Sequence, residues 1–161
     1  MTDRDPRRGA PVTAAADFYL PAGLPWPVPE PDGLDAPYWE GTRRGELQVQ
    51  RCRGCRGWQW GPEWICHRCL GFELEWTTVA PRGTIYSWER AWHPVHPALR
   101  GRGPYVVVLV ELQHAGGVRM IGNLLGDPMQ AVEIGAAVEA VFEPHDDATP
   151  PFTLVHWRTT A

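Results

Sequence analysis

Along much of the chain apolar and polar residues alternate one by one, the period of a β-strand with one buried face. The alternation is clear in ELQVQR (46–51) and FELEW (72–76). It returns in GTIYSWERAW (83–92), PYVVVLVEL (104–112), VRMIGNLL (118–125), AAVEAVFEP (136–144) and FTLVHW (152–157). Turn residues separate the runs: Pro81-Arg82-Gly83 launches one strand, and HAGG (114–117) joins two as a hairpin. DPMQAV (127–132) offers an aspartate cap and a single helical turn between strands. The spacing predicts a mostly β protein whose second half is a small barrel or sandwich.

One segment, DAPYWEGTRRG (35–45), reads as a short helix. Asp35 suits the N-cap, Pro37 the first turn and Gly45 the end. Residues 1–34 follow neither period. Seven prolines fall within residues 1–35, and the piece LPWPVPEP ending at Pro31 favours polyproline II over any central strand. An extended arm carrying Phe18, Tyr19 and Trp26 either packs on its own chain or embraces a partner.

All four cysteines lie in RCRGCRGWQWGPEWICHRCLG (51–71), spaced C-x2-C-x10-C-x2-C. This is the spacing of zinc ribbons and rubredoxin-type sites, in which two tight knuckles each present two thiolates to one tetrahedral ion. Each knuckle ends in Cys-x-Gly, at Gly57 and Gly71, a small internal repeat. The glycines are expected to supply the positive-φ turn and to let backbone amides approach the sulfurs. Disulfides would need an export signal, and a thioredoxin-like pair would need a βαβ setting. Iron suits four thiolates as zinc does, but four cysteines with no open position describe a structural zinc best. Cys52, Cys55, Cys66 and Cys69 then fill the shell, leaving His67 outside it and no place for a reactive water. Between the knuckles, WQWGPEW (58–64) carries Trp58, Trp60 and Trp64. With Trp76 they crowd a unit too small for a full core, so two of the four are expected to pack internally and the rest to face a partner.

Composition narrows the function. The chain has 161 residues, a net charge of −4 and a pI near 5.8, which gives no global attraction to nucleic acid or anionic membrane. It has no run of 18 apolar residues and no convincing signal peptide, so the cytoplasm is the expected compartment. All 15 basic residues are arginine, which excludes lysine Schiff-base chemistry. The one serine, Ser87, lies in a strand pattern without a nucleophile elbow. His93 and His96 share the proline-stiffened HPVHP, read either as a rigid connector between strands or as a loop lining a substrate or partner groove; the glycine-flanked Arg100 and Arg102 that follow, with Arg82, are candidates to contact a phosphorylated small molecule. The acidic pairs Asp146–Asp147 and Glu139/Glu143 read as solvated turn or strand faces. The inventory yields no nucleophile, base or oxyanion device, and describes a protein that assists another.

The order helix, cysteine knuckles, then PRGTIYSW, PYVVVLVEL, GVRMIGNLLGD, EIGAAVEAVFEP and FTLVHWR resembles the zinc-ribbon/OB-fold family long listed as domain of unknown function thirty-five. The lead-in YWEGTRRGELQVQRCRGC is similar to that family's opening, and the resemblance covers roughly residues 35–158. It implies three parts: an arm (1–34), a helix with a rubredoxin-like zinc ribbon (35–80) and a small OB-fold barrel (81–161). It implies a noncatalytic subunit that joins a thiolase-fold or lipid-transfer-protein-like enzyme in a hetero-oligomer and lies beside its acyl-CoA passage. The partner owns the catalytic groups, and the acyl group (steroid, aromatic or short-chain) stays open. Some members are fused to a hydratase-like domain, which here is expected on a separate polypeptide. On this reading Cys52, Cys55, Cys66 and Cys69 hold zinc, Trp26, Trp58, Trp60 and Trp64 face the partner, and Arg82, His93, His96, Arg100 and Arg102 lie toward CoA. A single-stranded nucleic-acid module, in which bases stack on aromatic rings, is the alternative, and a rubredoxin-like electron carrier a third.

Overall fold

The computed structural model describes residues 10–11, 23–25 and 32–160; Trp26, Phe18 and Tyr19 lie outside them. The described elements run β1 (Ala10–Pro11), α1 (Ala36–Arg43), β2 (Leu47–Cys52), β3 (Trp58–Gln59), β4 (Leu74–Val79), β5 (Arg82–Ala91), β6 (Tyr105–Leu112), β7 (Val118–Asn123), β8 (Ala137–His145) and β9 (Phe152–Thr159). Short 3-10 turns occupy Pro97–Leu99 and Gln113–Ala115. The class is mostly β, as the alternation predicts.

Two sheets form. In the first, β2 pairs antiparallel with β4 from Leu47↔Val79 to Cys52↔Leu74, and with β3 on its other side. The second runs β7-β6-β5-β8-β9, antiparallel throughout these five strands, with the two-residue β1 added parallel to β8. It curls until β7 returns to β9, where Leu125 donates its amide to the Trp157 carbonyl at 2.8 Å and Leu124 bridges Trp157. A bulge between Ile85 and Ser87 helps β5 bend around the barrel. Closure needs a close approach at Gly122: a Cβ there would meet the Trp157 indole at 2.8 Å. The result is the nearly closed five-stranded barrel implied by the resemblance to OB-folds.

The period-2 pattern places the core. On β6, Val106, Val108, Val110 and Leu112 point inward and are fully buried, against Ile85, Met120, Val138, Ala140, Phe142 and Trp157. Leu47, Val49 and Val79 of the smaller sheet belong to the same cluster, so the two sheets share one core.

The helix α1 sits across this junction. Its C-terminus is a Schellman motif: Glu46 donates to the Gly41 carbonyl at 2.9 Å, Gly45 donates to Thr42 at 3.0 Å, and Gly45 takes φ 72° as expected of it. At the other end the expectation needs correction. Asp35 holds the N-cap position, but its carboxylate makes no capping bond and instead accepts from the Trp39 indole N–H at 2.7 Å. DPMQAV forms one capped turn and no longer helix: the Asp127 side chain accepts from the Met129 amide at 2.8 Å and its carbonyl from the Gln130 amide at 2.9 Å.

A second correction matters more. Glu143, expected on a solvated strand face, is 1% exposed. One face of β8 and β9 (Val138, Ala140, Phe142, Trp157) fills the barrel, and the opposite face is covered too. There α1 packs on β9 through Trp39 against Phe152, ring centroids 6.5 Å apart, and Phe152 stacks on His145 at 4.7 Å. Asp146 and Asp147 are exposed, as read. Among the described residues no helix is long and apolar enough to cross a membrane.

Trp157 closes the barrel and is completely buried. Trp157→Ala is therefore expected to destabilise the fold by about 3–5 kcal/mol, the usual range for a buried aromatic truncated to alanine. A urea midpoint within error of wild type would contradict this account of closure.

Candidate metal centre and neighbouring cavity

β2 delivers Cys52 at its last residue, and the chain then turns back through Cys55 into β3. The second knuckle repeats this turn. Cys52 donates its amide to the Gly57 carbonyl and Cys66 donates to Gly71, each at 2.8 Å. The positive φ falls one residue earlier than expected, on Arg56 and Leu70, both at 60°, and not on the glycines. Gly57 and Gly71 serve by lacking a side chain: a Cβ would stand 3.2 Å from the Cys55 sulfur and 3.4 Å from that of Cys69, respectively.

The four Sγ atoms lie within 4.8 Å of one another, with Cys52–Cys69 at 3.6 Å and Cys55–Cys66 at 3.5 Å. These gaps are far longer than the roughly 2.05 Å of a disulfide. They approach the ~3.8 Å edge of a tetrahedron whose metal–sulfur distance is about 2.3 Å. The donor set thus fits a tetrahedral metal ion. Backbone amides of Cys69 and Arg68 pull the Cys66 thiol down to about 6. At Cys69 the Gly71 amide pulls the same way, but the neighbouring Cys52, Cys55 and Cys66 outweigh it and push the thiol up to about 11. One sulfur poised as thiolate beside a second, Cys69, that resists ionising is an arrangement a cation resolves.

Two glutamines brace the loop between the knuckles, and the sequence reading missed both. Gln50 and Gln59 are buried and bonded side chain to side chain at 3.0 Å. Gln50 accepts from the Glu63 amide and donates to its carbonyl; Gln59 accepts from the His67 amide. His67 itself is exposed. Trp58 and Trp60 turn inward. Trp58 packs beside Gly116 under the Arg51 guanidinium, and Trp60 meets Tyr38 edge to face at 4.9 Å. Burial holds the Tyr38 phenol above its ordinary range, with the Asp35 charge adding to the effect. Trp76 is half-buried, and Trp64 stays 59% exposed near Leu70 (70%); Phe72, just after the second knuckle, is 75% exposed. The ribbon therefore presents an apolar tip, with a shallow hollow between Trp64, Ile65, His67 and Leu70.

The five residues read as ligand contacts do not converge. Arg82 opens β5 while His93 follows its other end, ten strand residues or about 30 Å of extended chain away. His96 spends its Nδ1 accepting the Ala98 amide at 3.2 Å, capping the 3-10 turn. Arg102 does line a cavity of about 400 Å³, together with Val95, Leu99, Tyr105, Leu154 and His156. Behind His156 lies Glu143, whose two oxygens face His156 Nε2 at 3.2 Å and His145 Nε2 at 2.8 Å. Strand register explains the grouping: Glu143 pairs Leu154 and Val141 pairs His156, which makes Glu143 and His156 diagonal neighbours on one face.

A solved structure described as an Ltp2-ChsH2(DUF35) aldolase superimposes with a TM-score of 0.68 at 32% identity, over 84% of this chain and 100% of that one. The chain belongs to the DUF35 family. A model of the ChsH2 C-terminal OB-fold domain matches residues 76–143, within which the barrel strands β5 to β7 and most of β8 lie. The probable enoyl-CoA hydratase alpha subunit of Thermomonospora curvata is 36% identical over 125 residues, 77% of this chain and 37% of that protein. The 3-oxo-4,17-pregnadiene-20-carboxyl-CoA hydratase alpha subunit of Mycobacterium tuberculosis is 31% identical over 154 residues, 87% of this chain and 46% of that protein. The chain thus spans less than half the length of these two curated relatives.

Glu143 accepts a hydrogen bond from the buried His145 imidazole at 2.8 Å and lies 3.2 Å from His156 Nε2. Glu143→Ala should cost at least about 1–3 kcal/mol, the penalty for stranding one buried donor. An unchanged urea midpoint would show that neither contact matters to folding.

Proposed function

We propose that this chain is a noncatalytic, zinc-bearing accessory subunit. It docks on a thiolase-fold or lipid-transfer-protein-like enzyme that acts on acyl-CoA thioesters, and supports that enzyme's acyl-CoA passage. The observation that carries the reading is the exposed apolar side chains of the ribbon: Trp64, on a loop tied down between the cysteines by Gln50 and Gln59, and Leu70 and Phe72 at the second knuckle. Large apolar side chains left in water on a braced loop are what a subunit interface uses. Membership of a family whose solved relative is described as an Ltp2-ChsH2 aldolase supports the same reading, as do relatives named as alpha subunits of CoA-thioester hydratases. Zinc is the proposed ion because four thiolates complete its shell, so it shapes the ribbon and leaves reactivity to the partner. On this proposal Arg100 and Arg102 meet CoA phosphates in the complex, with His93 on the same loop. Arg82 and His96 take no part in this proposal, for the geometric reasons given above.

The nucleic-acid alternative has less to stand on. Tyr86 and Trp88 are exposed aromatics of the barrel strand β5, but Arg90 lies 5.3 Å from the Trp88 ring centroid, and the Arg119 guanidinium lies 3.4 Å from that of Tyr86 and pairs with Glu111 at 2.9 Å. A base would have to displace that pair before it could stack.

Two experiments bear on the proposal. Co-expression with a thiolase-fold or lipid-transfer-protein-like enzyme encoded beside it should yield one hetero-oligomer. Trp64→Ala and Phe72→Ala should each weaken that complex by about 2 kcal/mol, roughly thirtyfold, while Tyr86→Ala leaves it intact. Elution of the chain alone, or equal affinity of all variants, would end the interface assignment. Separately, Cys52→Ser should lower bound zinc and melting temperature together, since it forfeits much of the roughly 10–16 kcal/mol a structural zinc supplies. A red, iron-bearing preparation would instead favour electron transfer.

A further inference from the structure

The two knuckles repeat in sequence but not in surroundings. Each keeps one sulfur inside and turns one to solvent: Cys52 and Cys66 are buried, Cys55 and Cys69 exposed. Each exposed sulfur touches the buried sulfur of the other knuckle, Cys55 to Cys66 at 3.5 Å and Cys69 to Cys52 at 3.6 Å. By these measures the two exposed cysteines are equivalent.

A guanidinium tells them apart. The point where a Cβ on Gly57 would stand lies 3.2 Å from the Cys55 sulfur and 3.4 Å from Arg68 Nη1, so sulfur and cation flank one glycine. At the matching point on Gly71 the Cys69 sulfur lies at 3.4 Å and no cation comes within 4 Å. A fixed positive charge matters where an oxidant is reduced, because negative charge develops on the departing oxygen. Cys66 is the natural second partner. Its sulfur is shielded from solvent and accepts from the Arg68 amide at 3.4 Å, yet Cys55 touches it.

We propose that Cys55 is an oxidation site for hydroperoxides and that Cys66 resolves it, so that oxidant expels the ion from the cluster. The Cys55 thiolate attacks one peroxide oxygen; an S–O bond forms, the O–O bond breaks and hydroxide leaves beside Arg68, giving a sulfenic acid. The Cys66 thiolate then attacks the Cys55 sulfur; the S–S bond forms, the S–O bond breaks and a second hydroxide leaves. Each sulfur gives up one electron and the peroxide takes both. Cys52 and Cys69 alone leave a tetrahedral ion half its ligands, and it dissociates. A dithiol reverses the step, and the site refills. The order of the ribbon thereby follows the oxidant around it. This inference rests on the zinc reading of the cluster.

The test treats the zinc-loaded full chain with hydrogen peroxide and follows released zinc with a chromogenic chelator. At partial release, free thiols are alkylated and the chain is digested with trypsin without reductant. Arg51, Arg53, Arg56 and Arg68 separate the four cysteines, so each falls on its own peptide and every pairing can be told apart. The first disulfide should join peptide 54–56 to peptide 57–68, in step with zinc release, and dithiothreitol with added zinc should restore the loaded chain. Arg68→Ala, which keeps the amide on Cys66, should bind zinc as wild type does and lose it to peroxide about two- to fivefold more slowly, the scale of one exposed charge. Zinc retained in millimolar peroxide overturns the oxidation site. A first disulfide within a knuckle, or between Cys52 and Cys69, overturns the choice of Cys55 and Cys66, and an unchanged rate in Arg68→Ala overturns the part given to the guanidinium. A chain that takes up no zinc fails the zinc reading before peroxide is added, and this inference with it.

Discussion

Strands β8 and β9 are buried on both faces, and much else in the molecule depends on it. One face completes the barrel around Trp157 and Phe142; the other receives α1, with Trp39 edge to face on Phe152. A barrel strand in a small protein usually keeps one side wet, which is why an acidic residue on β8 reads as solvated. Covering that side encloses Glu143, whose buried carboxylate takes a hydrogen bond from His145 and has the His156 ring 3.2 Å away. The helix that does the covering also touches the ribbon through Tyr38 and Trp60. The same packing therefore joins the ribbon to the barrel, encloses the polar cluster and sets the wall of the neighbouring cavity.

The ribbon solves a different problem. It has three short strands and contributes Leu47, Val49 and Val79 to the shared core, too little to define the long loop between its knuckles. Four sulfurs within 4.8 Å of one another could hold an ion that would supply part of the missing order. Gln50 and Gln59 supply more, by bonding to the loop backbone at Glu63, Ile65 and His67. With its backbone held, the loop can leave Trp64 in water without collapsing around it. An exposed aromatic on a tethered loop loses little freedom when it docks, which is what makes it useful at an interface.

Legibility in the sequence followed the range of the interaction. The strands, the short helix and the metal knuckles were readable because each rests on spacing within a few residues. Period-2 alternation places side chains on one face, and C-x2-C places two sulfurs on one turn. The candidate ligand contacts were readable only as residue types. Arg82 and Arg102 look alike on paper, yet β5 separates them by its full length, and His96 turns out to cap its own turn. The pair Glu143 and His156 had no local signal, since thirteen positions separate them and only the β8–β9 register makes them neighbours.

By itself the sequence determined the class of fold, the chelating cluster and the likeness to a family, because all three are written in local patterns of polarity, glycine and cysteine. Tertiary structure alone decided which aromatic residues stay outside, which carboxylate goes inside, and where a cavity opens. Those outcomes depend on which face of a strand a helix covers and on the register between strands distant in sequence. Such choices are made by summed packing over the whole chain, and no short segment carries them.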